Sequence, residues 1–186
     1  PDDKAFFMTW EQNARLFAYG MADGPLPEHF EPHEAPVKNL LNGAGGNPCI
    51  RFADDPSVKR GSVKDFPFVV TTYSVVEHWQ TGTQTRNIPW LNELIPCNFI
   101  ELSEELAAEK SIKTGDMVHV WNNRGSVKVA AMVTKRMKPM EIDGKMTHVV
   151  GMPHHFSWAT NMARGDNVND LTPNVGDPNS YIPEYK

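Results

Sequence analysis

Proline and glycine interrupt the first third of this chain and limit the structures it can form. Between positions 24 and 56 the interrupting residues are Gly24, Pro25, Pro27, Pro32, Pro36, Gly43, Gly45, Gly46, Pro48 and Pro56. Proline fixes its own φ and disfavours helical geometry in the residue before it, so no long helix fits here. Aromatic and apolar residues are interspersed, unlike the composition of a flexible Gly/Ser linker. We expect residues 1–62 to form an extended arm that packs on other domains or a subunit, with an irregular linker as the alternative.

Short β-rich segments follow the arm. Residues 66–73 and 98–102 are rich in β-branched and aromatic side chains, which predicts two strands. Ser103 is a suitable N-cap for a helix over residues 104–110, since that segment begins with two glutamates and ends with lysine, as the helix dipole favours.

The remainder of the chain predicts further strands and turns. Residues 117–121 and 126–137 flank the turn Asn122-Asn123-Arg124-Gly125, which indicates a hairpin. Residues 141–150 contain Asp143-Gly144, another tight-turn signal. From Gly151 onward the sequence predicts loops. We therefore expect a mainly β fold with small helices, of the kind that closes into a small barrel.

A long polar segment separates the first two predicted strands. Residues 74–96 contain Glu77-His78-Trp79 and Thr83-Gln84-Thr85-Arg86. Loops of this length are either functional or disordered, and this aromatic and hydrogen-bonding content favours function. Such groups suit a large polar ligand with phosphates and a heteroaromatic ring.

Composition and motifs exclude several classes of function. The 186 residues carry 18 Lys and Arg against 23 Asp and Glu, a net charge of −5, with no basic block, which argues against nucleic-acid binding. No apolar run reaches the length of a membrane span, and no phosphate-binding glycine motif is present. Cys49 and Cys97 are too few for a zinc site or an iron–sulfur cluster within this chain and are expected to be buried thiols, although the sequence leaves a disulfide open.

Two further expectations concern a metal site and the ends of the chain. The adjacent His154 and His155 favour hydrogen bonding or packing over metal binding, because neighbouring side chains point in different directions and no further ligand has suitable spacing. The chain opens Pro1-Asp2-Asp3-Lys4, without an initiator Met or an apolar leader. We expect it to be a portion of a longer polypeptide.

Five segments together resemble one known family. Ile112-x-x-Gly115-Asp116-x-Val118-x-Val120, followed by Asn123-Arg124-Gly125, is similar to the double-psi β-barrel that ends the molybdopterin oxidoreductases. Further segments resemble, in order, the C-terminal part of the large subunit of respiratory formate dehydrogenases. They are residues 23–32, Thr71-Thr72-Tyr73-x-x-x-Glu77-His78, residues 169–177 and Pro183-Glu184-Tyr185-Lys186.

The resemblance implies a fold, a reaction and partners. It implies that residues 63–186 form a double-psi β-barrel that binds the molybdopterin dinucleotide. The whole subunit would oxidise formate to carbon dioxide, or the reverse, at molybdenum or tungsten held by two pterin guanine dinucleotides. A selenocysteine or cysteine ligand and a [4Fe-4S] cluster would lie in other domains of the large subunit, an iron–sulfur small subunit would take the electrons, and the site would be periplasmic.

The same resemblance implies which side chains contact the cofactor, and it implies no catalytic or metal-ligating residue in this chain. The implied contacts are Thr72, Ser74, His78, Gln80, His155, Asn169, Tyr185 and Lys186. Ser74 stands where many relatives carry Arg, and Arg86 is a candidate to replace that charge. Two alternatives stay open: another molybdopterin oxidoreductase, such as a nitrate, polysulfide or thiosulfate reductase, and a free-standing double-psi barrel that acts as an interaction module.

Overall fold

The computed structural model describes residue 41 and residues 64–142, 144–157 and 165–172. The predicted arm therefore lies outside the described residues, except for Leu41, as do Cys49, Tyr185 and Lys186. The elements are β1 (Phe68–Tyr73), a 3₁₀ turn (Thr85–Asn87), α1 (Pro89–Leu94), β2 (Phe99–Ser103), α2 (Glu104–Lys110), β3 (Met117–Trp121), β4 (Ser126–Thr134), β5 (Met140–Ile142), β6 (Lys145–Pro153) and a second 3₁₀ turn (Val168–Leu171).

The strands form a mixed sheet, with both parallel and antiparallel pairs. Their order is β1-β6-β2-β4-β3, and β5 pairs with β6. β1 runs parallel to β6, and β2 runs parallel to β4. β3 and β4 form an antiparallel hairpin, and β2 meets β6 antiparallel. The result is mainly sheet with few helices, curled into a half-barrel, which confirms the mainly β fold class.

Most of the predicted elements are present with small shifts in their ends. The helix Glu104–Lys110 begins at the predicted cap, since the Ser103 hydroxyl accepts a hydrogen bond from the Leu106 amide at 3.0 Å. The predicted hairpin is confirmed, although β4 ends at Thr134 rather than at residue 137. Gly144 has φ +73°, the left-handed geometry that a tight turn requires.

Two predictions about local structure were wrong. The chain after Gly151 is not a loop at once, because β6 continues to Pro153 and pairs with the end of β1. Pro153 is tolerated because it is the last residue of the strand. Cys97 is exposed and free of a disulfide rather than buried.

The core lies between the sheet and α2. Its buried apolar residues come from β2, α2, β4, β6 and the second 3₁₀ turn, and they are Ile100, Leu102, Leu106, Ala107, Val127, Val129, Ala131, Val150, Met152, Val168 and Leu171. β2 is buried along its whole length because it lies in the middle of the sheet. The loops that carry the predicted site residues therefore extend from a packed framework.

Candidate functional site

The segment after β1, residues 74–96, is an ordered loop that contains a 3₁₀ turn and α1. Its backbone turns back on itself through hydrogen bonds from the Gly82 amide to the Trp79 carbonyl at 2.8 Å and from the Arg86 amide to the Gly82 carbonyl at 2.9 Å. Pro89 begins α1, a first-turn position where its missing N–H costs nothing. We call this segment the first loop, and residues 154–157, which follow β6, the second loop.

His155 of the second loop is fully buried and joins the two loops. Its Nε2 accepts a hydrogen bond from the Val75 amide at 2.8 Å, so this nitrogen carries no proton. Its Nδ1 therefore carries the ring hydrogen and donates it to the Gln80 carbonyl. Burial lowers the pKa of His155 below its usual value, with smaller contributions in the same direction from the neighbouring His154, His78 and Arg86.

His78 of the first loop is also buried, and both of its ring nitrogens bond within the same loop. Nε2 lies 3.1 Å from the Ile95 carbonyl and donates to it. Nδ1 lies 3.2 Å from the Thr85 hydroxyl, which in turn accepts from the Trp79 amide. The ring also packs edge-on against Phe156 at 5.4 Å between centroids. His78 therefore closes the first loop and rests against the second.

A glycine lies where the two loops come closest. Gly82 is buried with φ +74°, and a Cβ built on it would lie 2.1 Å from the His155 carbonyl oxygen and 2.9 Å from Arg86 Nε. Any other residue would push the loops apart as well as strain the backbone. The sequence Thr81-Gly82-Thr83 shows only that a turn is present; the contact that requires glycine comes from a segment far along the chain.

Exposed polar side chains lie around this buried framework. Ser74 follows β1 directly, and Gln80 sits in the first loop with φ +52°, a conformation that is uncommon for a residue with a side chain. Thr72 is half-buried on β1, opposite Met152 of β6. Within the described residues, the side chains of Ser74 and Gln80 make no hydrogen bonds. They are therefore available for a ligand.

Asn169 lies on a separate segment, the second 3₁₀ turn. The β3–β4 hairpin holds this turn through hydrogen bonds from Asn122 Nδ2 and Arg124 Nε to the Leu171 carbonyl, at 2.6 Å and 2.9 Å. The Asn169 amide is fixed by the Asn167 side chain, and the Asn169 side chain is exposed. The structure thus brings His78, Gln80 and His155 together and places Asn169 on an independently held turn.

Sequence reasoning missed part of this arrangement. Arg86 is fully buried and donates to the carbonyl and the hydroxyl of Ser157, both at 2.9 Å. The pair is 71 positions apart, so no local pattern indicates it. The guanidinium is therefore not a surface group that meets a ligand from solvent.

No group of three or more His, Cys, Asp or Glu side chains in the described ranges is placed to hold a metal ion. No helix in those ranges is long and apolar enough to cross a membrane.

Comparisons with known proteins show the family of this chain. The family described as "Molydopterin dinucleotide binding domain" matches residues 68–186. The chain is 46% identical to "Formate dehydrogenase subunit alpha" of Megalodesulfovibrio gigas, over 98% of this chain and 18% of that protein. It is 42% identical to "Formate dehydrogenase 2 subunit alpha (cytochrome c-553)" of Nitratidesulfovibrio vulgaris, over 97% of this chain and 18% of that protein.

Solved structures show the same fold at low sequence identity. The acetylene hydratase from Pelobacter acetylenicus matches with a TM-score of 0.50 and 12% identity, over 66% of this chain and 17% of the other. This chain spans about a fifth of the length of the curated relatives it matches, which are 18% covered.

Proposed function

Because the chain belongs to the molybdopterin dinucleotide-binding domain family, we propose that it is the cofactor-binding portion of a formate dehydrogenase large subunit. The complete subunit would convert formate to carbon dioxide, one proton and two electrons, or catalyse the reverse. The observation that carries this proposal is the match of 98% of the chain to a formate dehydrogenase alpha subunit. The molybdenum or tungsten ion, held by two pterin guanine dinucleotides, supplies the redox chemistry when bound.

The chemistry of the exposed side chains fits such a ligand. The side-chain amides of Gln80 and Asn169 and the side-chain hydroxyl of Ser74 are exposed and make no hydrogen bond within the described residues. Amides and hydroxyls both donate and accept, as the edges of pterin and guanine and the phosphate oxygens require. In this role Thr72, Ser74, Gln80 and Asn169 bind the dinucleotide, and Tyr185 and Lys186 contact the pterins or phosphates.

The two buried histidines have a different role in the proposal. Both ring nitrogens of His78 and of His155 already bond to the two loops. A direct bond from either ring to the cofactor would require one of these contacts to be given up. We therefore assign His78 and His155 to shaping the surface that meets the cofactor, a refinement of their predicted role as cofactor contacts.

We also propose an architecture and partners for this chain. Residues 63–186 would complete a double-psi β-barrel, and residues 1–62 would form an arm on the rest of the large subunit. A [4Fe-4S] cluster in that subunit and an iron–sulfur small subunit would carry the electrons away. The complete enzyme would be periplasmic. Resemblance to respiratory formate dehydrogenases supports each of these points.

Removal of two exposed amides from the complete enzyme tests the function. We expect Asn169→Ala and Gln80→Gly each to lower pterin content and formate oxidation several-fold, since each removes one hydrogen bond worth about 1 kcal/mol. Gln80→Gly suits the test because glycine readily adopts the φ of +52° found at this position. The measurements are fluorescence of the oxidised pterin, metal content and formate-dependent dye reduction.

A matched surface variant controls for nonspecific effects. Lys138→Ala removes an exposed ion pair with Glu105, of 3.1 Å, and should leave all three measurements unchanged. Wild-type enzyme that contains no pterin would contradict the proposed function. Wild-type enzyme with pterin that oxidises nitrite or reduces nitrate but not formate would replace formate dehydrogenase by another molybdopterin oxidoreductase.

A further inference from the structure

Arg86 is a fully buried cation in the first loop, and burial of a charge needs a compensating arrangement. Its guanidinium donates Nη1 to the Ser157 carbonyl and Nη2 to the Ser157 hydroxyl, each at 2.9 Å. Its own carbonyl accepts from Asn92 Nδ2 at 2.7 Å, which fixes the base of the side chain. Burial lowers the pKa of Arg86 below its usual value, although an arginine stays charged at neutral pH.

The contacts of Arg86 and His155 run in opposite directions between the same two loops. His155 extends from the second loop and bonds to Val75 and Gln80 of the first. Arg86 extends from the first loop and bonds to Ser157 of the second. Gly82 lies between them, since a Cβ built on it would lie 2.1 Å from the His155 carbonyl oxygen and 2.9 Å from Arg86 Nε. Two connections that run in opposite directions fix both the separation and the relative orientation of the two loops, and a single connection does not fix both.

Stability alone does not explain why an arginine occupies this position. An apolar side chain of similar volume commonly stabilises a protein as well as a buried charge does, or better. The planar guanidinium presents two donors in a fixed plane, and here both meet acceptors of one residue. A lysine ammonium could satisfy only one of those acceptors with the same geometry. The role of the arginine is therefore to orient the second loop.

We propose that Arg86 is a positioning residue for cofactor binding, which fixes Ser74 and Gln80 relative to the second loop before the dinucleotide arrives. This inference rests on the proposed function. Donors that are fixed in advance lose little freedom on binding, so the ligand is held more tightly. Arg86 would act through Ser157 and His155 without touching the cofactor itself.

The rate of pterin loss from the complete enzyme tests this role. Arg86→Lys keeps the charge and removes the planar pair of donors that meets Ser157, and Ser157→Ala removes the hydroxyl that accepts from Nη2. We expect each to speed pterin loss on the order of tenfold at a temperature well below unfolding, as loss of one charge-assisted hydrogen bond implies. Because both variants disturb the same Arg86–Ser157 contact, the double variant should speed pterin loss by less than the product of the two single effects.

A core variant separates positioning from general instability. Val129→Ala opens a cavity in β4, where the side chain is 1% exposed, and should lower the unfolding temperature without changing the rate of pterin loss. If Arg86→Lys and Ser157→Ala lose pterin no faster than Val129→Ala, the positioning role is wrong and the proposed function stands. Wild-type enzyme without pterin would overturn both. An Arg86→Lys variant that retains pterin as well as the wild-type enzyme would also overturn the geometric role.

Discussion

At the scale of single residues, the hydrogen-bond partners of a histidine determine its charge. His155 accepts from an amide at one nitrogen and donates to a carbonyl at the other, so only the neutral ring satisfies both. A proton on Nε2 would place two donors against each other at the Val75 amide. The ring is fully buried, which makes this loss more costly than at the surface. The junction of the two loops is therefore sensitive to acid.

Acid should weaken the junction of the two loops. The pKa of His155 is lower in the folded protein than in the unfolded chain, where it is about 6.5. The unfolded chain therefore takes up a proton first as the pH falls, and the contribution of His155 to stability, complete above about pH 6.5, declines below it. Hydrogen exchange of the Val75 amide, corrected for its intrinsic pH dependence, should show protection that falls between pH 7.5 and pH 5.5.

A matched pair of variants identifies the group responsible. His155→Gln should give weaker protection of Val75 that changes little with pH, because the titrating ring is gone. His119→Gln removes an exposed ring on β3 and should keep the wild-type pH profile. Wild-type protection that stays constant down to pH 5.5 would contradict the assignment of the neutral ring.

At the scale of secondary-structure elements, the ends of α2 illustrate how local sequence directs folding. Ser103 caps the N-terminus with its hydroxyl, and Glu104 and Glu105 lie in the first turn. Ser111 ends the helix with φ +56°, in the left-handed region. Glycine is the residue that most often occupies such a C-terminal position, because it has no Cβ to strain. One end of this short helix is thus well matched to its role and the other is not.

Variants at the two ends should have opposite effects on stability. Ser103→Ala should lower the free energy of unfolding by about 1 kcal/mol, because the Leu106 amide loses its acceptor. Ser111→Gly should raise it by roughly 0.5 kcal/mol through relief of the left-handed backbone. Denaturant unfolding of the full-length subunit, followed by hydrogen exchange in α2, measures both. A Ser103→Ala variant whose free energy of unfolding is not lower than that of the wild type would contradict the role of the cap.

At the scale of the whole molecule, three strands meet around one glycine. Gly151 of β6 is the partner of Thr71 in β1 and of Glu101 in β2. The ring of Tyr73 covers it, and burial together with the charge of Glu101 raises the pKa of the Tyr73 phenol, which therefore stays protonated. The exposed Arg136 pairs with the buried Glu101 carboxylate and lies over the same ring, at 5.7 Å.

A methyl group at this junction should disturb all three strands. A Cβ on Gly151 would lie 2.4 Å from Met137 Cε and 2.7 Å from Tyr73 Cε1. We expect Gly151→Ala to cost about 1–3 kcal/mol of unfolding free energy, as overpacking does. Met137→Ala in the same chain should recover only part of that loss, since the Tyr73 ring remains. Thermal unfolding of the single and double variants decides this, and a Gly151→Ala variant as stable as wild type would refute it.

Much of the fold and part of the site could be predicted from the sequence. The cap at Ser103, the hairpin around residues 122–125 and the strand predicted over residues 66–73 depend on residues a few positions apart. The cap and the hairpin are confirmed, and the strand is present over the shorter range Phe68–Tyr73. The sequence also predicts that the first loop carries polar binding groups, and this stays a prediction. The sequence did not predict its 3₁₀ turn and short helix, which are only three and six residues long.

The sequence by itself determined the strands, the one capped helix and the loops in which polar groups collect, because these follow from local preference and alternation. Only the tertiary structure decided that β1 pairs parallel with β6, that His78 and His155 are buried and that Gln80 is exposed. Arg86 and Ser157 are 71 positions apart, and Gln80 and His155 are 75 apart. Contacts at such distances form only when the sheet brings the loops together, since no local preference specifies which side chains will then face inward.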